Sequence, residues 1–299
     1  MLQTQTRAFL ALLLLVLIWG YSWIIMKQMM LYADPFDFSA LRYLGGAVVL
    51  FGYLFISGQS LRMPPLLPTV LVGVAQTTAF QGLAQWALIN GGAGKVALFC
   101  YSMPFWVTLL AWWWLSEKPS AKQWIGVGFA ALGLILVIAP WLGLGSKFSI
   151  LLALAGGLAW AIGTVLTKRA FQKYSLAPIN FTAWQMLIGS LVLALIAWLV
   201  PGKPLVWRSE LWLGLAYSAF LASSLAWVLW SFIVRSLPTS VAGLSSLLVP
   251  ITAIGLAWIL LNEVPSRLDL MGIALIFIGL LVVRPKPVKS KISNKEQAR

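Results

Sequence analysis

Apolar residues run along this chain in stretches of about 20, separated by short polar or helix-breaking clusters. A helix crossing the hydrocarbon core of a bilayer needs about 20 mostly apolar residues. Ten stretches meet that requirement, at roughly 8–27, 37–56, 67–88, 95–115, 122–140, 148–167, 179–200, 210–234, 240–261 and 268–284. Asp34-Pro35, Pro64-Pro65, Asn90-Gly91-Gly92, Glu117-Lys118-Pro119, Pro201-Gly202 and Leu237-Pro238 punctuate them. The expected fold class is an all-α membrane protein with ten transmembrane helices. The first stretch follows Arg7 and runs into Trp19-Gly20-Tyr21-Ser22-Trp23 rather than a small-residue cleavage site. It reads as a retained helix and not as a signal peptide.

Composition agrees with that pattern. Hydrophobic residues make up 61% of the 299 and charged residues 9%, where a soluble domain carries about 25% charged. So few charges cannot cover a water-facing surface, which makes the lipid bilayer the first expected partner. The net charge of +14 sits in short loops and in a tail, with no basic face on a soluble fold, so nucleic acid is excluded as a partner. Cys100 is the single cysteine and there is no histidine. No metal and no cofactor are expected from such a set.

An even number of spans puts both termini on one side. That side carries fourteen of the cations and the other six, with Arg42 inside a span. By the positive-inside rule both termini are expected in the cytoplasm of a bacterial-type plasma membrane. Residues 1–7 form a cytoplasmic N-terminus and 285–299 a basic cytoplasmic tail.

The chain also repeats itself. "PFDFSALRYLGG" (35–46) aligns with "PINFTAWQMLIG" (178–189) at an offset of 143. "PFWVTLLAWWWLSEKPSAKQWIGVGFAALGLILV" (104–137) aligns with "PITAIGLAWILLNEVPSRLDLMGIALIFIGLLVV" (250–283) at an offset of 146. Chance similarity of apolar helices would match Leu and Val, whereas here Pro, Trp, Glu, Ser and Gly match in order. Five spans per copy force the second copy to enter from the opposite side. The expected architecture is therefore two inverted five-helix repeats, the arrangement by which many secondary transporters alternate access to a midplane site. The Trp19-Gly20 start and the segments "SEKPSAKQWIGVGFAALG" and "NEVPSRLDLMGIALIFIG" resemble the EamA-type repeat of the drug/metabolite transporter superfamily. The resemblance spans nearly the whole chain, as repeats at 8–139 and 148–284. It implies export or uptake of small metabolites through a central cavity built mainly by the first four helices of each half.

Several residues are candidates for that cavity. Gln76, Thr77, Thr78, Gln81 and Gln85 make the third span the least lipid-like. Thr77, Gln81 and Gln85 share one face by α-helical spacing, and unpaired amides in hydrocarbon are expensive. Either they line a cavity or they bond a neighbouring helix. Tyr217, Ser224, Trp227 and Ser231 mark the eighth span, Tyr101 and Ser102 the fourth, and Ser245 and Ser246 the ninth. Trp19, Trp23, Trp86 and Trp160 lie deep in their spans. The end-of-span tryptophans, such as Trp112, Trp113 and Trp207, suit an interfacial belt. Arg42 sits inside the second span, to meet a substrate carboxylate or phosphate or to snorkel towards Asp34 and Asp37. Its counterpart in the second half is Gln185. Pro104 and Pro250 fall inside spans, where they would free the carbonyls of Cys100 and Ser246 and kink or gate the pathway. Glu117 with Ser120, and Glu263 with Ser266, are expected to organise tight turns, with Ser120–Gln123 and Ser266–Asp269 as capping boxes.

The function expected from these features is transmembrane transport of a small metabolite, with export of amino acids or related amphipathic compounds foremost. A structural or assembly subunit is the alternative. A membrane-embedded enzyme is disfavoured, because the acids are scattered in loops and the tail. The central membrane region holds no acid or histidine, so uniport or exchange is expected rather than a buried proton relay. The solute, the direction of flux and the oligomeric state are not set by the sequence.

Overall fold

The structure is a computed structural model that describes residues 2–91, 93–138, 146–200, 202–261 and 264–282. Its elements are α1 (Leu2–Met29), α2 (Pro35–Ile56), α3 (Leu66–Val72), a π-helical stretch (Gly73–Phe80), α4 (Gln81–Asn90), α5 (Ala93–Cys100), α6 (Met103–Leu115) and α7 (Ala121–Ile138). The second half continues with α8 (Lys147–Lys173), α9 (Pro178–Leu199), α10 (Ser209–Tyr217), a second π-helical stretch (Ser218–Leu225), α11 (Ala226–Ser236), α12 (Thr239–Ser245), α13 (Leu248–Leu261) and α14 (Arg267–Val282). Among the described residues the secondary structure is wholly helical. Eight helical runs, two of them interrupted by a short break, are long and apolar enough to cross a membrane, and Ala121–Val137 is a shorter apolar helix. The chain is a multi-pass membrane protein. Its outer surface is apolar: Phe55, Trp113 and Trp198 are each at least 74% exposed, which only lipid makes tolerable.

Local signals in the sequence set the helix ends. Asp34 accepts a hydrogen bond from the Phe36 amide ahead of Pro35, the first residue of α2. Ser146 does the same for Ser149 at the start of α8. Both capping boxes are formed. The Ser120 amide donates to Gln123 Oε1 (2.7 Å) and the Gln123 amide to Ser120 Oγ (3.3 Å); the Ser266 and Asp269 pair repeats this at 2.8 and 3.2 Å. Ser116, at φ 55°, ends α6 in the left-handed region.

Unusual elements recur at one spacing. The two π-helical stretches start 145 residues apart and are both eight residues long. The breaks between α5 and α6 and between α12 and α13 fall at Tyr101–Ser102 and Ser246–Leu247. Helix α7 packs on α14 at glycines: a Cβ on Gly133 would lie 2.5 Å from the Gly272 carbonyl oxygen, and one on Gly279 would lie 2.6 Å from that of Gly126. No side chain fits between these backbones.

Two expectations change here. Pro104 and Pro250 do not sit within continuous helices. Each helix ends before its proline, and each proline occupies the first turn of the next helix, α6 or α13. The missing N–H costs nothing in a first turn. The Ser246 carbonyl is not free either, because it accepts from the Val249 amide at 2.9 Å. Glu263 lies outside the described residues.

Candidate functional site

A pocket of ≈ 300 Å³, counting the space at its open side, lies between the halves. Trp19, Trp23 and Met26 of α1 line it, with Arg42 of α2, Phe80 and Gln81 of the third span, Tyr101 at the α5–α6 break and Trp160 of α8. Each element reaches the pocket for a local reason. The α5–α6 break turns Tyr101 out of a regular helix, and Gln81 follows directly on the π-helical stretch. π-helical turns bulge a helix and leave backbone and side chains in unusual register.

Aromatic rings build the walls. Trp160 stacks on Phe80 with centroids 4.7 Å apart and planes at 11°. Trp19 meets Trp160 edge-on at 5.5 Å and Trp227 at 5.3 Å, and Tyr101 meets Trp160 at 5.3 Å and Trp23 at 6.3 Å. Trp19 Nε1 is held by the Ala222 carbonyl at 3.0 Å, on the second π-helical stretch. Trp160 Nε1 is buried and has no hydrogen-bond partner.

Arg42 is 2% exposed. It does not reach the membrane surface. Its Nε donates to Ser223 Oγ at 3.3 Å, its guanidinium lies 4.9 Å from the centroid of the Tyr43 ring, and its Nη1 has no partner. Tyr43 in turn accepts from Trp227 Nε1 at 2.9 Å. The position matching Arg42 is filled by Gln185, whose Oε1 accepts from Thr77 Oγ1 at 2.9 Å. A second matched pair flanks it. Thr78 Oγ1 donates to the Gly189 carbonyl at 2.9 Å, and Ser224 Oγ to the Gly46 carbonyl at 3.0 Å.

Of the candidate cavity residues, Trp19, Trp23, Arg42, Gln81, Tyr101 and Trp160 meet at the pocket. Trp227 packs behind its wall. Others are engaged elsewhere: Thr77 with Gln185, Ser224 with Gly46, Tyr217 OH with the Ile18 carbonyl at 2.7 Å, and Ser246 Oγ with the Gly243 carbonyl at 2.7 Å. Ser102 Oγ accepts from Trp106 Nε1 at 3.3 Å. Gln85 is buried with neither amide atom partnered, away from the pocket lining. Gln81 and Gln85 stand four residues apart on one face of α4, while Thr77, in the π-helical stretch, turns to Gln185. The π-helical register between Gly73 and Phe80 rotates Thr77 off the line that regular α-helical spacing would draw. Trp86 is 40% exposed and packs on Phe36 and Phe148 at the outer surface, not in the cavity. Met26 and Phe80 complete the lining without a sequence signal beyond their apolar character.

Away from the pocket, near the start of α12, the halves are fastened together. The Thr239 amide donates to Glu117 Oε2 at 3.0 Å and Thr239 Oγ1 to Glu117 Oε1 at 3.2 Å. Gln123 Nε2 donates to Ser240 Oγ at 2.8 Å. Lys168 Nζ donates to the Val234 and Leu237 carbonyls at 2.9 and 2.8 Å, capping the end of α11. Lys27 caps α4 similarly, through the Leu88 and Gly91 carbonyls at 2.6 and 3.0 Å. Glu117 thus ties one half to the other as well as closing its own turn.

The EamA-like transporter family matches this sequence twice, over residues 6–139 and 147–284. The chain belongs to that family. Its relatives include "Uncharacterized transporter YoaV" of Bacillus subtilis, 25% identical, with 93% of this chain and 97% of the relative covered. The "Probable amino-acid metabolite efflux pump" of Salmonella typhimurium is 28% identical over 93% of this chain and 95% of its own length. The protein of that same name in Escherichia coli is 26% identical, covering 90% and 92%. A solved crystal structure superposes with a TM-score of 0.78 at 20% identity, over 93% of this chain and 96% of that one, which establishes a shared fold. Family membership makes this protein a transporter of small metabolites, with the substrate unspecified.

Proposed function

We propose that the aromatic pocket around Arg42 is the substrate site of a secondary transporter working by alternating access between two inverted five-helix repeats, each supplying five of ten spans. The matched, crossed contacts carry this reading. Gly133 meets Gly272 while Gly126 meets Gly279, and Thr78 meets Gly189 while Ser224 meets Gly46. Each pair is the other with its halves exchanged, as a two-fold axis requires. The helix breaks at Tyr101–Ser102 and Ser246–Leu247 fit the discontinuous helices that such carriers use near their sites.

The membrane is a bacterial plasma membrane with both termini cytoplasmic, as the distribution of Lys and Arg favours. In that orientation the Glu117–Thr239 and Gln123–Ser240 fastenings lie at the cytoplasmic face and hold that side closed. The pocket lies nearer the opposite face, where α2 begins. The action is transport and not catalysis. Amphipathic small compounds suit aromatic walls beside a polar amide and a cation, and the efflux-pump names of two relatives favour export.

Exchange of radiolabelled metabolites by the purified full chain in liposomes tests this. Gln81→Ala is expected to lower flux at least about fivefold with the folded fraction unchanged, about the loss of one hydrogen bond. Unaltered flux in Gln81→Ala would remove the pocket from the route. Absence of exchange across a broad metabolite panel would overturn the transport reading.

A further inference from the structure

We propose that this pocket takes a small organic monoanion, a carboxylate on a compact apolar or aromatic body, in preference to the amino-acid zwitterion of the same skeleton; the inference rests on the pocket being the substrate site. The charge balance of the lining carries it. Arg42 is buried, contributes a full positive charge and keeps Nη1 without a hydrogen-bond partner. Trp160 adds a second buried donor, Nε1, that is also unpaired. Both residues line the same pocket. Leaving donors buried and unmatched is costly, most of all on a charged group. A carboxylate is the ligand group that would satisfy them, through charge-assisted hydrogen bonds to a planar guanidinium.

The hydrogen bond made at this position does not itself require a guanidinium. Gln185 occupies the matching place in the other half, and its Oε1 accepts from Thr77 Oγ1. A neutral amide therefore suffices to join the span to its π-helical neighbour. Arg42 makes the equivalent contact to Ser223 with Nε, lies over the Tyr43 ring and keeps Nη1 without a hydrogen-bond partner.

Among the described residues no acid lines the pocket. Asp34 and Asp37 lie at the start of α2, with Asp34 capping it. Glu117 is held by Thr239, Glu210 is in the first turn of α10 and Asp269 in that of α14. An ammonium brought into the pocket would lose its water, find no counter-charge and face Arg42. One cation also matches one negative charge. A phosphate monoester carrying close to two would leave excess charge in a poorly hydrated site. The remaining walls, Trp19, Trp23, Met26, Phe80 and Tyr101, accept an apolar body, and Gln81 supplies one neutral polar contact.

A matched series of ligands on the full chain in nanodiscs tests the inference. The compounds are 3-phenylpropanoate, L-phenylalanine, 3-phenylpropanamide and phenethylamine, read by the intrinsic fluorescence of the pocket tryptophans and by exchange in liposomes. The propanoate is expected to bind at least about tenfold more tightly than the zwitterion and the amide, with the amine weakest. Arg42→Gln should abolish that ranking and Arg42→Lys should keep part of it. The wild-type ranking alone decides the matter if Arg42→Gln fails to fold. Equal or tighter binding of phenylalanine, or an unchanged preference for the propanoate in folded Arg42→Gln, would overturn the monoanion inference. Phenylalanine exchange that is lost in Gln81→Ala would at the same time leave the pocket standing as the transport site. No binding and no exchange of any compound would overturn both.

Discussion

The two halves treat one polar junction differently. In the second half Gln185 accepts from Thr77, a neutral pair. In the first half the matching residue is Arg42, which donates once to Ser223 and holds a further nitrogen unpaired. Backbone and partner hydroxyl correspond, so the fold alone does not require the charge. The difference shows which of the two equivalent positions is built for packing and which is left open. On the two-fold reading, it places the one charged member of the matched pair in the first half.

Five substitutions would break or sharpen that comparison. The largest effect is expected from Gln185→Arg. It buries a second cation and removes the acceptor of the Thr77 hydroxyl, and should destabilise the protein by about 3–5 kcal/mol, the range for an uncompensated buried charge. Thermal unfolding in detergent measures it, and a shift of only a degree or two would mean that the second half accommodates a buried cation as the first does. Next is Trp227→Phe, which removes the donor to Tyr43 beneath Arg42. A loss of about 1–2 kcal/mol is expected, with weakened ligand binding through a less fixed Tyr43. Third is Glu117→Gln, which replaces a charge-assisted cap on α12 with a neutral one. About 1 kcal/mol should go, and a double-mutant cycle with Thr239→Val should be clearly non-additive. If the fastening holds one face closed, exchange rates should rise in this variant. Smallest are Thr78→Val and Ser224→Ala, which delete matched bonds to the Gly189 and Gly46 carbonyls. Each should cost about 0.6 kcal/mol. Effects differing by more than about 1 kcal/mol would argue against a two-fold relation.

Much of this was legible before any coordinates. Span positions followed from hydropathy, and the described helices agree with them within a few residues, because a bilayer demands continuous apolar stretches whatever their neighbours are. The capping boxes at Ser120 and Ser266 were readable because both partners lie within one turn. Six of the pocket residues were found from their depth in the spans and their polarity. What escaped was set by register. Nothing in "GVAQTTAF" or "SAFLASSL" announces π-helical turns, yet these decide that Thr77 faces Gln185 and not the cavity. Trp86 looked as deep as Trp160, but helix rotation put it on the outer surface.

The sequence by itself determined that this chain lives in a membrane, that it repeats, and to which family it belongs. Each of these depends on composition or on spacing along the chain. Only the tertiary structure decided which polar groups meet. A polar side chain in hydrocarbon must find a partner, and whether that partner is a neighbouring helix or a solute depends on helix rotation and on contacts between residues some 110 to 180 positions apart. Thr77 found Gln185. Arg42 found Ser223 and kept a donor in reserve at the pocket.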